Sequence, residues 1–233
     1  MGGRLMTEQN AARVSLRTAA ILTAFTLIFT TLMAATYRAT KPAIDASAEA
    51  EKMKLVNEVL PEALYDNAPL ADYVVVAPRA ELGLAAQDDP VRLLRARKGD
   101  APAAVVFEAV APDGYGGRIR LILAVGADER LLGVRVVSHK ETPGLGDYID
   151  PKKDRNKAAP WIRQFDATGF GQVAATDWKV KKDGGRFDAR AGATISARAV
   201  TGAVRRALQF AVDQRDKLYA LPAQSTLEEQ GKP

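Results

Sequence analysis

The sequence predicts an α+β protein with one N-terminal transmembrane helix, an antiparallel sheet and a long closing helix. Three observations carry this. From Thr18 to Tyr37 the chain runs twenty residues without a charge. Between residues 72 and 137, five short runs rich in Val, Leu and Ile are separated by Gly, Pro, Asp and Asn. From Thr194 to about Tyr219, apolar residues return at helical spacing. Strands that precede a helix, rather than alternate with helices, belong to the α+β class.

Composition narrows the chemistry. The 233 residues are 47% hydrophobic and 26% charged, which suits a chain that buries a core. The absence of cysteine excludes disulfides, thiolate metal sites, iron–sulfur clusters and cysteine nucleophiles. One histidine, His139, cannot make a three-histidine metal site. The net charge is +5, and the first 17 residues supply two of those charges through Arg4, Arg13 and Arg17 against Glu8. The rest is spread among acids, unlike the concentrated basic face of a nucleic-acid binder. Hydroxyl, carboxylate, lysine or cofactor chemistry is what remains.

Taken in order, residues 1–17 form a tail and residues 18–37 a span. Twenty helical residues cover roughly 30 Å, the thickness of a bilayer's hydrocarbon core. A cleaved signal peptide has an apolar stretch of only about 7–15 residues, so an uncleaved anchor is expected. Three basic residues precede the span and three (Arg38, Lys41, Lys52) follow within fifteen residues, so the positive-inside rule leaves the orientation open. Residues 38–70 read as a helical connector: Asp45 is a candidate N-cap, Met53, Val56, Val59 and Leu60 recur at helical spacing, and Pro61 stops the helix.

A domain over 71–220 follows, then a tail over 221–233. Strands are expected at 72–77, 91–96, 104–110, 118–125 and 131–137, the last two joined by GADER as a hairpin. Residues 138–160 cannot be a regular element, because Pro143, Gly144, Gly146, Pro151 and Pro160 interrupt them. A long loop in a compact domain is more often functional than idle. WIRQF at 161–165 resumes apolar packing, and DWKVKKDGG at 177–185 reads as a strand into a Gly-Gly turn. The final helix turns Val200, Val204, Leu208 and Ala211 inward, with Arg205, Arg206, Gln209 and Asp213 mainly outside.

The segment Asp188-Ala-Arg-Ala-Gly192-Ala193-Thr194-Ile-Ser196 lies where a turn feeds that helix. Gly192 and Ala193 leave room for a ligand near the backbone. Thr194 and Ser196 stand beside unpaired first-turn amides, which attract anions, phosphate above all. Ordinary capping by Ser or Thr accounts for the same pattern.

Two segments together, HKETPGLGDYI (139–149) and WKVKKDGGRFDARAGATISARAV (178–200), closely resemble the covalent-FMN domain of the G subunit of the Rnf/Rsx electron transport complex. The stretch 114–147, LPEALYDN at 60–67 and the anchor are similar as well, so the resemblance covers nearly the whole chain. It implies FMN held by a phosphoester on Thr194, attached by a flavin transferase with FAD as donor. Asp188 corresponds to the upstream Asp of the attachment motif, and Gly192, Ala193 and Ser196 to its core. Ala191 stands where Ser or Thr is usual. The 139–149 loop resembles the segment against the flavin ring, which implies contacts from Glu141, Thr142 and Leu145.

The resemblance further implies a single-pass protein of the cell inner membrane with a cytoplasmic tail and a periplasmic, extracytoplasmic FMN domain. Its partners would be the other Rnf/Rsx subunits, the flavin transferase and membrane lipid. Its role would be electron transfer within an ion-translocating oxidoreductase. Two alternatives stand beside it. One is the C subunit of a sodium-pumping NADH:quinone oxidoreductase, against which the GLGD form of the loop and the short chain count. The other is a non-redox scaffold, against which the intact Gly192-Ala193-Thr194 counts. His139 is expected to make a structural hydrogen bond, Trp161 and Trp178 to pack in the core, and Lys152, Lys153, Arg155 and Lys157 to form a solvated loop.

Overall fold

The computed structural model describes residues 2–227, with side chains from residue 13 onward. Met1 and residues 228–233, parts of the two expected tails, lie outside the described residues, as do the side chains of Arg4 and Glu8. The chain divides into two compact units between Lys52 and Met53.

The first unit is helical. Helix α1 covers Gly2–Asn57 without a break, and its part from Arg13 is long and apolar enough to cross a membrane. Its large apolar side chains, among them Leu22, Phe25, Phe29 and Leu32, are exposed. Threonines satisfy their hydroxyls within the helix: Thr18 donates to the Val14 carbonyl at 3.0 Å and Thr26 to that of Leu22 at 2.9 Å. The expected fresh start at Asp45 is corrected. The helix runs through Pro42, and Asp45 pairs with Lys41 one turn back at 2.9 Å instead of capping. Proline there removes one backbone donor, and the alanine-rich surroundings keep the rest of the ladder. The helix stops at Asn57, four residues before Pro61, and Glu62–Leu64 form a separate 3-10 turn.

The second unit is built on a six-stranded sheet in the order β5-β4-β3-β2-β1-β6. Strands β1 (Tyr73–Val76), β2 (Val91–Lys98), β3 (Ala101–Gly114), β4 (Gly117–Gly126) and β5 (Leu131–Ser138) form an antiparallel meander. β6 (Thr226–Leu227) lies parallel to β1 on the far edge. Two residues of the expected tail thus complete the sheet, because β1 is an edge whose backbone groups need partners. Val56, Val59 and Leu60, in the expected connector, are buried core residues of this unit.

Alternation along the strands separates two cores. Phe107, Ala109 and Ala111 of β3, with Ile119, Leu121 and Leu123 of β4, join Val200, Val204, Leu208 and Ala211 of helix α2 (Thr194–Ala220), which has the expected stripe inward. Ala104, Val106, Ile122 and Ala124 face the other way and pack with Val56, Val59 and Leu60. Gly133 of β5 permits that contact, because a Cβ there would lie 2.9 Å from both the Cα and the carbonyl oxygen of Val59. The C-terminal end of α2 is tied to β2 by the buried Arg95, which donates to the Leu218 carbonyl at 2.8 Å and the Leu221 carbonyl at 2.6 Å and pairs with Asp72.

The expected strand at 177–185 is corrected. Ala175–Asp177 and Lys181–Asp183 are 3-10 turns, and one bridge, Val180 to Phe187, is the only ladder contact of this segment among the described residues. Its side chains serve an aromatic cluster rather than a sheet: Trp178 and Phe187 have ring centroids 4.9 Å apart and Phe165 and Phe187 4.7 Å apart.

Candidate functional site

The N-terminal end of α2 meets the 139–149 loop and the β3–β4 turn at a single carboxylate. Glu141 is only 4% exposed. Its Oε1 accepts the Gly116 N–H at 2.8 Å, and its Oε2 accepts the Ser196 hydroxyl in a short hydrogen bond. Glycines surround it for a steric reason. A Cβ on Gly146 would lie 2.5 Å from Ser196 Oγ and 2.8 Å from Glu141 Oε2, and one on Gly114 would lie 2.9 Å from Glu141 Oε1.

The loop is shaped by its own backbone. The Leu145 and Gly146 amides both donate to the Thr142 carbonyl at 3.1 Å, and the Gly144 amide, in a residue at φ +77°, donates to Asp147 Oδ1 at 2.9 Å. His139 accepts the Glu141 N–H on Nδ1 at 3.1 Å, the structural bond expected of it, which leaves its proton on Nε2. Lys157 donates back to the Pro151 and Lys152 carbonyls at 3.1 and 2.8 Å, closing the basic loop on itself.

The segment before α2 is held from the other side. Asp154, fully buried, accepts the Trp161 N–H at 2.7 Å and the Asn156 N–H at 2.8 Å and pairs with Arg190. Burial pushes the Asp154 carboxyl up, but those two amides and the Arg190 guanidinium outweigh it and hold it below its ordinary value. Arg190 lies 4.7 Å over the Tyr148 ring, and the Tyr148 hydroxyl donates to the Ala193 carbonyl at 3.3 Å. Burial raises that hydroxyl's pKa, so it stays a donor. Trp161 is in the core and donates its indole N–H to the Asp188 carbonyl at 2.7 Å. Trp178 is also core.

The expected site residues therefore separate into groups. Gly192 sits at φ +82° with open space where a Cβ would be, Ala193 is buried, and Thr194, the first residue of α2, is half-buried. The Thr194 hydroxyl has no hydrogen bond among the described residues, and no side chain caps the helix. Capping, the ordinary explanation of Thr194 and Ser196, is thus absent, because Ser196 turns to Glu141. Thr142 and Leu145 are exposed on the loop, whereas Glu141 is beneath it. Asp188 stands apart at the surface: its side chain pairs with Lys181 at 2.7 Å and lines a cleft of about 560 Å³ together with Gln164 and Phe187, and Thr194 does not line that cleft.

Residues 114–209 match the FMN-binding domain family, and residues 6–59 match the RnfG N-terminal region. The chain is 42% identical over 208 residues to the G subunit of the ion-translocating oxidoreductase complex of Pseudomonas aeruginosa, covering 89% of this chain and 94% of that one. It is 38% identical over 200 residues to the protein of the same name from Pseudoalteromonas atlantica (86% and 89% covered) and 37% identical over 202 residues to that of Vibrio cholerae (87% and 92%).

The chain belongs to the RnfG family of ion-translocating oxidoreductase complexes. Within that family the FMN-binding domain covers β4, β5, the 139–149 loop and most of α2, so Glu141 and the residues it grips lie wholly inside it. Membership also decides against the sodium-pumping NADH:quinone oxidoreductase alternative. One residue at the Glu141 junction escaped the sequence analysis. Tyr115, 69% exposed, is set between Gly114 and Gly116 in the β3–β4 turn. A large aromatic flanked by glycines is the signal that could have found it.

Proposed function

We propose that this protein carries FMN in phosphoester linkage to Thr194 and passes electrons within a membrane-bound Rnf-type complex, with its flavin domain on the periplasmic side of the inner membrane. The observation that carries the attachment point is the contrast between two hydroxyls two residues apart. Thr194 is partly open and unbonded at the start of α2, whereas Ser196 is 1% exposed and committed to Glu141. One hydroxyl is available.

The surroundings fit the group. The uncapped first turn of α2 offers amide donors to a phosphodiester anion, an interaction of about 0.3–1 kcal/mol, and Gly192 leaves its outer side clear. In the transfer, the Thr194 oxygen forms a bond to the FMN phosphorus of FAD, the pyrophosphate bond breaks, AMP leaves and the hydroxyl proton is released. Bound FMN supplies the electron chemistry through its ring, while the protein supplies position and electrostatics. Asp188, exposed at the rim of its cleft, is placed for recognition by the flavin transferase. Thr142 and Leu145 are the loop side chains free to meet the ring. The apolar helix α1 supports the membrane anchor, and the other Rnf subunits are the electron-transfer partners.

Thr194→Ala tests this. Intact mass of the full chain purified with and without an active transferase, and fluorescence after denaturation, should show FMN on the wild type and none on the variant. The fold should be preserved, since the Thr194 hydroxyl makes no hydrogen bond that is lost. A wild-type chain that never acquires flavin, or a Thr194→Ala chain that retains it through denaturation, would overturn the assignment. A reporter fused to the C-terminus and active only in the cytoplasm should be silent; an active one would refute the orientation.

A further inference from the structure

Three segments far apart in the chain meet at Glu141: the β3–β4 turn through the Gly116 amide, the loop through its own backbone, and α2 through the Ser196 hydroxyl. Each also presents one large apolar side chain to solvent. Tyr115 adjoins Gly116, Leu145 adjoins Gly146, and Ile195 lies between Thr194 and Ser196; they are 69%, 53% and 46% exposed. Among the described residues of the second unit, the only other exposed large apolar side chain is that of Leu64. Tyr115, Leu145 and Ile195 are each one residue removed from a residue that bonds to or lies against the Glu141 carboxylate, and exposed apolar surface of this kind marks a binding site where it is contiguous.

The carboxylate has no ion pair among the described residues, and its bonding goes entirely to the Gly116 amide and the Ser196 hydroxyl. That side chain, with the steric fit of the glycines around it, is what keeps Gly116, Gly146 and Ser196 in register here. A buried carboxylate with two donors is held rigidly, because leaving either donor unmet in the interior is costly.

We propose that Glu141 is a positioning residue: its carboxylate clasps the β3–β4 turn and the loop to the first turn of α2, and thereby sets Tyr115, Leu145 and Ile195 around the Thr194 hydroxyl for flavin attachment. This rests on the reading of Thr194 given above. It replaces the direct contact of Glu141 with the ring that the family resemblance implied. Ser196, on this account, is the handle by which α2 is gripped, and its burial also withholds a competing hydroxyl.

The test compares Glu141→Ala, Glu141→Gln and Ser196→Ala in the full-length protein. Two readouts are used: amide hydrogen exchange at residues 198–201, which bond to the first turn of α2, in the flavin-free chain, and the initial rate of covalent FMN incorporation from FAD by the transferase. Glu141→Ala should lose about 10- to 100-fold of exchange protection at residues 198–201, whose amides donate to the carbonyls of the first turn, the change in local opening expected when hydrogen bonds to a carboxylate are removed. Its flavin incorporation should slow in parallel.

Glu141→Gln keeps the shape. Its carbonyl oxygen still accepts from Gly116, and its amide donates to Ser196 Oγ, so both links persist, the second with its direction reversed, and both readouts should lie closer to wild type than to Glu141→Ala. Ser196→Ala cuts one of the two links and should fall between. If Glu141→Ala fails to fold, the graded loss in Ser196→Ala with retention in Glu141→Gln carries the same inference.

The proposal is overturned if Glu141→Ala or Ser196→Ala leaves both readouts at wild-type values. It is also overturned if Glu141→Gln is as impaired as Glu141→Ala, because charge and not position would then be what matters. If the wild type takes up no flavin, the attachment reading fails, while the exchange measurement still decides whether the clasp exists.

Discussion

Arg95→Met should loosen the far end of α2 and leave the Thr194 end intact. The guanidinium is buried, donates Nε to Asp72 Oδ1 at 2.7 Å and sends Nη1 to two carbonyls at the end of the helix, Leu218 and Leu221. Breaking a buried ion pair by removing one partner costs about 3–5 kcal/mol when the other charge is left alone. Here Asp72 keeps Arg97, whose Nε lies 2.9 Å away, so the loss is set mainly by two orphaned carbonyls. A reasonable magnitude is about 3 kcal/mol, which lowers the melting temperature of a domain this size by about 6–12 °C. The measurement is chemical and thermal unfolding of the detergent-solubilised chain beside wild type. Flavin incorporation below the transition should be unchanged, because the helix of 27 residues separates the two ends by roughly 40 Å. A loss under about 1 kcal/mol would refute the view that this arginine holds the helix to the sheet. So would a loss of flavin incorporation at temperatures where the variant remains folded.

Three further outcomes are expected. Tyr219, whose hydroxyl donates to the Ala104 carbonyl at 2.8 Å, is pushed up to about 12 by burial. Its stabilising contribution is therefore complete below the unfolded value of about 10 and fades as the pH rises toward 12; Tyr219→Phe should remove that alkaline limb from a stability–pH curve and cost about 0.5–1.5 kcal/mol at neutral pH. Asp154, held below its ordinary value, stabilises the fold above the unfolded value of about 3.9 and ceases to do so as the pH falls through its lower folded value; Asp154→Asn should flatten the acid limb measured by denaturant unfolding between about pH 5 and 2. Gly133→Ala should cost about 1–3 kcal/mol in the same assay, because the new methyl meets Val59; a neutral result would show that the Val59 segment shifts freely away from the sheet.

The meander was legible because β3 and β4 alternate two faces that both need apolar partners, so Val106 and Phe107 read as strand whichever face is considered. Helix α2 was legible from its stripe. The parts that were not legible depend on partners distant in sequence. Thr226 and Leu227 have no pattern of their own and become a strand only beside β1. Residues 177–185 have a strand's composition, but Trp178, Val180 and Phe187 are drawn into the core around an aromatic cluster that curls the backbone. Thr194 is singled out by the family resemblance, since its own segment reads equally well as capping. What distinguishes it from Ser196 could not be read there, because the difference is made by Glu141, fifty-five positions from that serine along the chain.

That separation bears on when the proposed acceptor exists at all. Each strand from β2 to β5 pairs with the one just before it, so the meander can form progressively as the chain leaves the ribosome. The Glu141–Ser196 bond can close only once the start of α2 has been synthesised, and the Arg95 contacts with Leu218 and Leu221, which span 123 and 126 positions, only when the helix is complete. The threonine is thus configured by one of the last events in the birth of the domain. A chain truncated just after Ser196 would contain the complete Asp188–Ser196 segment and still lack Val200, Val204 and Leu208, which pack this helix into the core. Modification at such a residue would report that the domain had been finished, not merely that its motif had been translated.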